Sequence, residues 1–443
     1  MSAEALTGWG HTRRSVAEVV TARDEGHLAE LVLAAPARGV LARGLGRSYG
    51  DAAQNGGGVV VAPFRPDEPP HIDVELATVR AAAGMSLARL LACTLPHGLM
   101  PPVLPGTRYV TLAGAVAADV HGKNHHVDGS FGAWVQELVL IDGTGRRRVV
   151  GPTRDPEAFW ATFGGMGLTG IVTEVTMRLL AVPTSRMRVA TRRVPNLDAL
   201  FSRMKEPIRP RYDVAWVDCL GTGRSVLDEG EHATVEELRP ADRGDPLRYR
   251  PRQPLGVPAL PFTPLRPATV RAFNEAWWRH APASAEHVVG ISRFFHPLDG
   301  VGGWNRLYGP RGFLQYQLVV PEGAEDIIGG CVRDLGRQGL APFLAVLKRF
   351  GPASPGPLSF PASGWTFAVD LPVGHPDLPR ALDRLDGSVA AAGGRVYLAK
   401  DARLRADVLA SMYPRLPEWR VVRDRLDPDR RFRSDLGRRL NLS

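Results

Sequence analysis

Apolar positions recur along the chain with the spacings of both helices and strands, which predicts a mixed α and β protein. Residues 14–36 place apolar side chains at helical intervals, whereas residues 39–42 and 59–61 are short apolar runs typical of buried strands. A glycine-rich loop at residues 43–51 separates these two strands. A further helix is predicted over residues 86–97, because a serine at its start can cap it and a glycine follows its end.

A hairpin and a helix–strand unit are predicted next. Residues 137–150 have the pattern of a β-hairpin, and Asp155 is placed to cap a following helix. Residues 165–170 match the GxGxxG pattern, but a helix precedes them and an alternating strand at residues 171–179 follows. A dinucleotide fingerprint needs the strand first and the helix second, so no Rossmann fold is predicted here.

Further along, aromatic strands alternate with helical stretches, which predicts a second α+β domain. Strands are expected within residues 214–217, 313–320 and 365–371. Residues 246–268 are rich in proline and poor in periodic apolar positions, so a mobile surface loop is expected there. A basic helix is predicted over residues 419–431.

Residues 104–132 combine a run of small residues with a polar stretch, and three interpretations of this segment compete. The small run, residues 111–120, could be a core helix. His121 and His125 stand four apart as in a zinc-protease helix, but Gly122 occupies the place of the required glutamate, which argues against a metal site. The third interpretation is a cofactor shelf, since small side chains let the backbone approach a flat guest closely.

Composition indicates a two-domain globular protein and narrows its partners. The chain has 443 residues, of which 44% are hydrophobic and 23% charged, and a net charge of +9. Scattered positive charge suits an anionic substrate or membrane face, and no nucleic-acid motif is present, so nucleic acid is not an expected partner. Three distant cysteines predict neither a disulfide framework nor a metal site. No signal peptide or spanning run is recognised, so a location in the cytoplasm or peripheral to the plasma membrane is expected.

The glycine-rich loop at residues 43–51 is a candidate phosphate cradle. Three glycines behind a strand can turn consecutive backbone N–H groups toward a pyrophosphate. The spacing of these glycines differs from the Rossmann fingerprint, and no helical pattern follows the loop. A plain glycine-rich turn is the alternative interpretation.

These motifs become more specific when they are taken together with several others. The relevant segments are residues 43–51, 54–58, 105–108, 121–126, 129–132, 167–170, 296–299, 304–306, 312–317, 399–401 and 412–415. Together they resemble the vanillyl-alcohol-oxidase-type FAD flavoproteins and, within these, the decaprenylphosphoryl-β-D-ribose 2-oxidase family. The resemblance covers nearly the whole chain and is weakest over residues 186–290.

The resemblance implies an α+β, two-domain fold of the vanillyl-alcohol-oxidase (PCMH) type. Residues 1–185 would form the FAD-binding domain. Residues 186–394 would form an inserted α+β substrate domain built on an antiparallel sheet. Residues 395–443 would be a C-terminal segment that returns to the FAD-binding domain.

The resemblance also implies site residues, with Lys400 and His121 as the catalytic pair. The cofactor-binding residues would be Arg43, Gly44, Leu45, Gly46, Arg47, Ser48, Tyr49, Pro105, Gly106, Thr107, Gly114, Ala118, His121, Gly122, Asn124, Gly167, Gly170, Ile171 and Tyr397. The substrate-binding residues would be Tyr49, Lys123, Trp216, Phe295, Gln315, Gln317, Lys348, Phe350, Thr366, Ala368 and Lys400. Arg47 stands where members with covalent flavin commonly carry a histidine, so the resemblance implies non-covalent FAD.

The implied reaction is oxidation of the 2-hydroxyl of a polyprenyl-phosphoryl-β-D-ribofuranose, the first half of its epimerisation to the arabinose form used in cell-wall arabinan. A reductase partner using NADH would complete the epimerisation. A buried lysine near a flavin should have a lowered pKa, which suits Lys400 to proton transfer. His121 is the other candidate base, and the sequence leaves the choice open.

Four positions depart from the family pattern. Ala368 replaces a cysteine that covalent nitroaromatic inhibitors attack in mycobacterial members, so resistance to that covalent mode is expected. Phe295, Thr366 and Val214 replace polar residues near the same pocket. These changes motivate an alternative function, oxidation of another sugar, alditol or nucleoside-like alcohol in secondary metabolism. A non-enzymatic flavin-binding subunit or membrane-surface scaffold is a third hypothesis, against which the intact His121 and Lys400 argue.

Overall fold

The computed structural model describes residues 2–251, 255–340 and 342–443. In chain order the strands are β1 (Ser2–Thr7), β2 (Arg14–Val20), β3 (Val40–Ala42), β4 (Val59–Val61), β5 (His71–Asp73), β6 (Thr78–Ala82), β7 (Leu99–Met100), β8 (Val135–Ile141), β9 (Arg147–Val150), β10 (Ile171–Arg178), β11 (Leu180–Ala181), β12 (Arg186–Val194), β13 (Tyr212–Val217), β14 (Ser225–His232), β15 (Leu255–Gly256), β16 (Ser284–Gly290), β17 (Val301–Gly302), β18 (Phe313–Val320), β19 (Ala345–Phe350), β20 (Gly364–Pro372) and β21 (Arg395–Val396).

The helices lie between these strands and at the C-terminus. In chain order they are α1 (Glu25–Leu33), α2 (Leu87–Thr94), α3 (Leu112–Ala117), α4 (His125–Asp128), α5 (Pro156–Thr162), α6 (Leu197–Met204), α7 (Pro267–His280), α8 (Ile291–Phe295), α9 (Glu325–Arg337), α10 (Leu378–Ala391), α11 (Ala406–Met412), α12 (Leu416–Leu426) and α13 (Asp435–Arg439). No helix within the described ranges is long and apolar enough to cross a bilayer.

The N-terminal part is built on two sheets. The first has the order β1-β2-β4-β3, in which β4 runs parallel to both neighbours, and the second has the antiparallel order β5-β6-β10-β8-β9. The predicted hairpin corresponds to β8 and β9. The GxGxxG segment joins α5 to β10, so the predicted order of helix and strand is confirmed.

The helix predicted over residues 14–36 is wrong in its first part. Residues 14–20 form β2, in which Val16 is exposed and the next residue, Ala17, is buried, as expected for a strand with one solvated face. The helix begins only at α1, where Asp24 caps it by accepting the N–H of His27 at 2.7 Å. The basic helix predicted over residues 419–431 is shifted, because α12 ends at Leu426.

The middle part is dominated by one eight-stranded sheet with the order β16-β12-β14-β13-β19-β20-β18-β21. Neighbouring strands pair antiparallel throughout, which agrees with the predicted fold class. The predicted domain limits at residues 185/186 and 394/395 stay predictions. Of the loop predicted over residues 246–268, residues 252–254 lie outside the described ranges, and the rest includes the short strand β15 and the start of α7.

The C-terminal segment packs against the start of the chain. Phe432 forms a parallel bridge with Val40 of β3, and Arg439 of α13 pairs with Asp51 at 2.7 Å and with Asp401 at 2.9 Å. The loop behind β3 and the segment that carries Lys400 are thereby held side by side.

Candidate active site

The glycine-rich loop at residues 43–51 leaves β3 directly and has room only for glycine at two points. A side-chain carbon at Gly44 would lie 2.5 Å from Thr111 Oγ1, and Gly46 has a φ of +64°. Within the described ranges, the backbone N–H groups of residues 44–48 have no acceptor, whereas those of the flanking residues do. A run of free N–H groups in a tight turn is a site for an anion such as a pyrophosphate.

The two arginines of this loop differ in what they contact. Arg43 donates to the carbonyl oxygens of Thr7 and Ala53, each at 2.7 Å, so its guanidinium braces the loop from inside. The guanidinium of Arg47 lies 4.0 Å from the centre of the Trp9 ring, and its buried Nε has no partner within the described ranges. The same loop carries the exposed side chain of Leu45 and the half-buried Ser48.

The small-residue segment forms the short helix α3, capped by Thr111, whose Oγ1 accepts the N–H of Gly114 at 3.1 Å. The carbonyl of Ala118 accepts a hydrogen bond from Tyr397 Oη at 2.9 Å, which joins this segment to the C-terminal part of the chain. At Gly106 an added side-chain carbon would meet no atom within 4 Å. Gly106 is exposed, so this open side faces solvent, and the shelf interpretation stays a prediction.

Other predicted cofactor residues shape the backbone around this space. Thr107 Oγ1, next to Pro105 and Gly106, donates to Asp299 at 2.7 Å. Asn124 Nδ2 donates to the carbonyl of Pro102 at 2.9 Å, which holds the turn that contains Gly122. The remaining predicted cofactor residues are Gly167, Gly170 and Ile171. Gly167 has a φ of +76°, and Gly170 directly precedes Ile171, the first residue of β10.

Most predicted substrate residues lie on one face of the large sheet. Gln317 stands opposite Ala368, and Ala368 opposite Val346, so side chains two residues away on each strand share that face. The residues on it are Trp216 of β13, Lys348 and Phe350 of β19, Thr366, Ala368 and Asp370 of β20, and Gln315 and Gln317 of β18. The face therefore gathers polar side chains from three neighbouring strands, with the Trp216 ring of β13 beside them.

Three partly buried lysines lie around this face. Burial lowers the pKa of Lys123 to about 8, and burial together with the charge of Lys123 lowers the pKa of Lys348 to about 7. Burial also lowers the pKa of Lys400, whose Nζ lies 3.8 Å from the centre of the Tyr49 ring. Among the described residues no carboxylate forms a direct ion pair with these amines, although the more distant charge of Asp370 opposes the fall in the pKa of Lys400. Partly buried amines without a direct ion pair are a binding environment for an anion.

Lys123 and Phe295 have different neighbours at the end of α8. Lys123 Nζ donates to the carbonyl of Phe294 and lies 4.0 Å from the centre of that ring. Phe295 is buried against Tyr212, with ring centres 4.9 Å apart, so its ring belongs to the hydrophobic core. Phe350 is also buried, and its ring lies 4.8 Å from that of His121.

His121 is neutral and carries its proton on Nδ1. Gln317 Nε2 lies 3.0 Å from Thr366 Oγ1, and that hydroxyl donates to the carbonyl of Leu318, so the amide nitrogen must be the donor to Thr366. The same Nε2 lies 2.9 Å from His121 Nε2, which is therefore an acceptor. Burial, assisted by nearby lysine charge, lowers the pKa of His121 well below its usual value. Its Nδ1 has no partner within the described ranges.

Asp370 is a functional candidate that the sequence analysis did not name. It is fully buried on β20 and accepts hydrogen bonds from Gln315 and, at 3.2 Å, from Tyr308. Burial raises its pKa, while the charge of Lys400 opposes that rise. Its spacing in the sequence could have indicated this position, since Asp370 follows Thr366 and Ala368 at intervals of two residues on one strand and so shares their face.

Comparisons with known proteins identify the class. A family profile described as an FAD binding domain matches residues 16–151, and one described as D-arabinono-1,4-lactone oxidase matches residues 380–440. The first match contains the glycine-rich loop and the α3 segment, and the second contains Lys400. The protein is therefore an FAD-dependent oxidoreductase with an FAD-binding domain of the PCMH type.

The relatives narrow this class to a family. The chain is 40% identical to the decaprenylphosphoryl-β-D-ribose oxidase of Mycolicibacterium smegmatis, over 99% of this chain and 97% of that protein. It is 39% identical to an uncharacterized Streptomyces coelicolor protein, over 81% of this chain and 100% of that protein. A Streptomyces alditol oxidase is 29% identical over 40% of this chain and 42% of its own length. The chain belongs to the decaprenylphosphoryl-β-D-ribose oxidase family, as the sequence motifs predict.

Proposed function

We propose that the protein oxidises the 2-hydroxyl of a polyprenyl-phosphoryl-β-D-ribofuranose to the 2-keto sugar lipid, the first half of an epimerisation to the arabinose form. The full-length similarity to a relative named for decaprenylphosphoryl-β-D-ribose supports this reaction. The observation that carries the substrate class is the group of partly buried lysines around one sheet face that form no direct ion pair among the described residues. Such a site favours a sugar that bears a phosphodiester over a neutral polyol.

Lys123 and Lys348 are the proposed phosphodiester ligands. Each lysine is partly buried and has a lowered pKa, so its charged form is stabilised when an anion binds beside it. Trp216 and Phe350 would form an apolar wall beside the sugar. Ala368, half-buried on the same face, presents no nucleophile to a covalent inhibitor.

Lys400 is the proposed proton acceptor. Its lowered pKa increases the neutral fraction of the amine near neutral pH, and only the neutral amine can accept a proton. The proton of the sugar 2-hydroxyl passes to Lys400 Nζ while the carbon that carries this hydroxyl is oxidised to a ketone. FAD, when bound, supplies the hydride acceptor for this carbon.

His121 is proposed as a hydrogen-bond donor rather than a base. Its Nε2 is occupied by Gln317, and its lowered pKa keeps the ring neutral, so the group it can offer to a bound molecule is the Nδ1–H. A buried donor without a partner is costly, and an acceptor on the cofactor or the sugar would remove that cost. His121 then orients the reactants while Lys400 moves the proton.

The proposed FAD site is formed by the N–H groups of residues 44–48 for the pyrophosphate and the shelf from Gly106 to Ala118 for the ring system. We further propose that FAD is bound non-covalently, because the loop presents Arg47 where a linking histidine would stand. Acid precipitation of the yellow protein should leave the flavin in the supernatant. Flavin that stays with the precipitated protein would contradict this proposal.

An NADH-dependent reductase is the proposed partner, since the 2-keto product must be reduced to complete an epimerisation. The proposed location is peripheral to a membrane, where a polyprenyl lipid is held. The proposed partner and the proposed location both depend on the proposed substrate and rest on the same observations.

Anaerobic reduction of the bound flavin tests the reaction. A short-prenyl phosphoribose should bleach the visible flavin absorbance, and ribitol should not. Lys400→Ala should keep FAD but slow the bleaching by roughly 10²-fold or more, since it removes the proton acceptor. Lys205→Ala is a matched control, because Lys205 is an exposed lysine paired with Glu325.

Three results would count against the proposal. No bleaching by the phosphoribose would reject the reaction. Faster bleaching by ribitol or another soluble alcohol would favour the alternative function that Thr366, Phe295 and Val214 suggest, which the partial likeness to an alditol oxidase also motivates. Near-normal bleaching of the Lys400→Ala protein would reject the role of Lys400.

A further inference from the structure

Helix α7 exposes aromatic side chains that an ordinary surface helix would bury. Of its 14 residues only Val270 and Asn274 are buried. Phe273 and Trp277, four residues apart on one face, are 39% and 46% exposed, and their rings stack with centres 6.1 Å apart. Phe262, in the segment before the helix, is 57% exposed. We call Phe273 and Trp277 the aromatic patch.

The charge next to the aromatic patch is positive. The segment from Phe262 to His280 contains the arginines Arg266, Arg271 and Arg279, and all three are exposed. Its single acidic residue, Glu275, is already paired with Arg279 and with Arg224, each at 2.7 Å. Exposed tryptophan and phenylalanine flanked by arginine are the composition of a helix that lies in a membrane interface.

The aromatic patch is continuous with the active site through packed rings. The ring of Phe343 lies 4.9 Å from that of Phe273. Phe343 also packs against a buried cluster that includes Tyr49 and Phe313. Lys400 Nζ lies 3.8 Å from the centre of the Tyr49 ring of this cluster. A series of side-chain contacts therefore joins the aromatic patch to the proposed reacting centre.

We propose that the aromatic patch inserts into the interface of an anionic lipid bilayer. This inference rests on the proposed function, since a polyprenyl substrate has its chain in a bilayer and its sugar at Lys400. The rings would enter between lipid headgroups, and the arginines would contact lipid phosphates. A bilayer accounts for both the exposed aromatic rings and the excess of arginine, whereas a protein partner would need a complementary surface of its own.

Vesicle sedimentation of the FAD-loaded protein tests the proposal. Wild type should sediment with phosphatidylcholine vesicles that contain phosphatidylglycerol, and more weakly with phosphatidylcholine alone. The double variant Phe273→Ser/Trp277→Ser should lose about tenfold or more in vesicle affinity. Arg266→Gln, which changes the arginine on the helix face of Phe273 and Trp277, should lose about fivefold, and only on the anionic vesicles.

The matched control is Ile208→Ser/Val421→Ser, which removes two apolar side chains that are 91% and 71% exposed away from α7. This control should bind vesicles as wild type does. Equal loss in the control and the patch variant, or no binding of wild type to anionic vesicles, would overturn the proposal. A wild-type dimer that the patch variant dissociates, without vesicle binding, would instead make the patch a protein interface and reject the bilayer.

Activity separates this inference from the proposed function. The patch variant should reduce its flavin with a dispersed short-prenyl phosphoribose at the wild-type rate, and be slower by about the loss in vesicle affinity when the substrate is embedded in vesicles. Equal rates for both proteins on the embedded substrate would overturn the inference. Failure of wild type with the short-prenyl substrate rejects the proposed function, and the vesicle-affinity measurements then judge the patch separately.

Discussion

At the scale of single residues, the reactivity of the site depends on which charges face Lys400. Asp370 holds the pKa of the lysine up, while burial and Lys348 push it down. Asp370 keeps its proton to a higher pH than a surface carboxylate does, because burial raises its pKa. The other titratable groups around this pair are the phenols of Tyr49 and Tyr308, and burial raises the pKa of both. Lys400 and Asp370 therefore titrate as a pair, and neither can be assigned a proton independently of the other.

The pH profile of flavin reduction should move in opposite directions in two variants. The rate rises with pH as Lys400 loses its proton. Asp370→Asn removes a negative charge that raises the lysine's pKa, so the rising limb should move to lower pH by roughly one unit. Lys348→Met removes a positive charge that lowers that pKa, so the limb should move to higher pH.

Single-turnover rates of flavin reduction across pH, at saturating short-prenyl substrate, measure both shifts. Gln315→Leu is a useful companion: it removes a hydrogen bond that opposes the rise in the pKa of Asp370, so the limb should move in the same direction as in Asp370→Asn but by less. A purely structural role of Asp370 would lower the rate at every pH without moving the limb. Shifts of the same sign in Asp370→Asn and Lys348→Met would contradict the electrostatic account.

At the scale of elements, strands with alternating side chains could be predicted well, and the residues between them less so. The strands within residues 313–320 and 365–371 were predictable because aromatic and β-branched residues repeat along them, and their period of two also places Gln315, Gln317 and Thr366 on a common face. The order of strands in the sheet could not be predicted, because it depends on contacts between residues far apart in sequence. The start of the chain was misassigned because the apolar residues of β2 and α1 together imitate one helical pattern.

The candidate site was predictable in its residue types but not in its charges. The motif resemblance named Lys400, His121 and Lys348, and the structure brings these residues together around one sheet face. It could not name Asp370 as their counter-charge, because a carboxylate in a strand is usually solvated. It could not choose between Lys400 and His121 as base either. That choice depends on the Gln317 amide, whose orientation is fixed only when Thr366 lies beside it.

At the scale of the whole molecule, both ends of the chain are needed to form the cofactor side of the site. Arg439 pairs with Asp51 at the end of the glycine-rich loop and with Asp401 next to Lys400, and it also donates to the carbonyl of Leu404 at 2.7 Å. Both carboxylates are buried, and Arg439 is the cation that pairs with each of them among the described residues. Asp401 also accepts the N–H groups of Arg403 and Leu404. The N–H of Tyr49 donates to the carbonyl of Ala399 at 3.0 Å, which joins the same two segments directly.

Arg439→Met should therefore weaken stability and cofactor binding together. Removing one partner of a buried ion pair typically costs about 3–5 kcal/mol, because the remaining carboxylates stay buried and charged. Thermal unfolding of the FAD-free and FAD-loaded protein, with FAD affinity from fluorescence titration, measures both effects. Arg405→Met is the control: Arg405 pairs with Asp407 at an exposed site, where solvent screens the pair, so its loss should leave the unfolding temperature close to that of wild type. An Arg439→Met protein that unfolds at a lower temperature but binds FAD with wild-type affinity would show that the C-terminal helix stabilises the fold without shaping the cofactor loop.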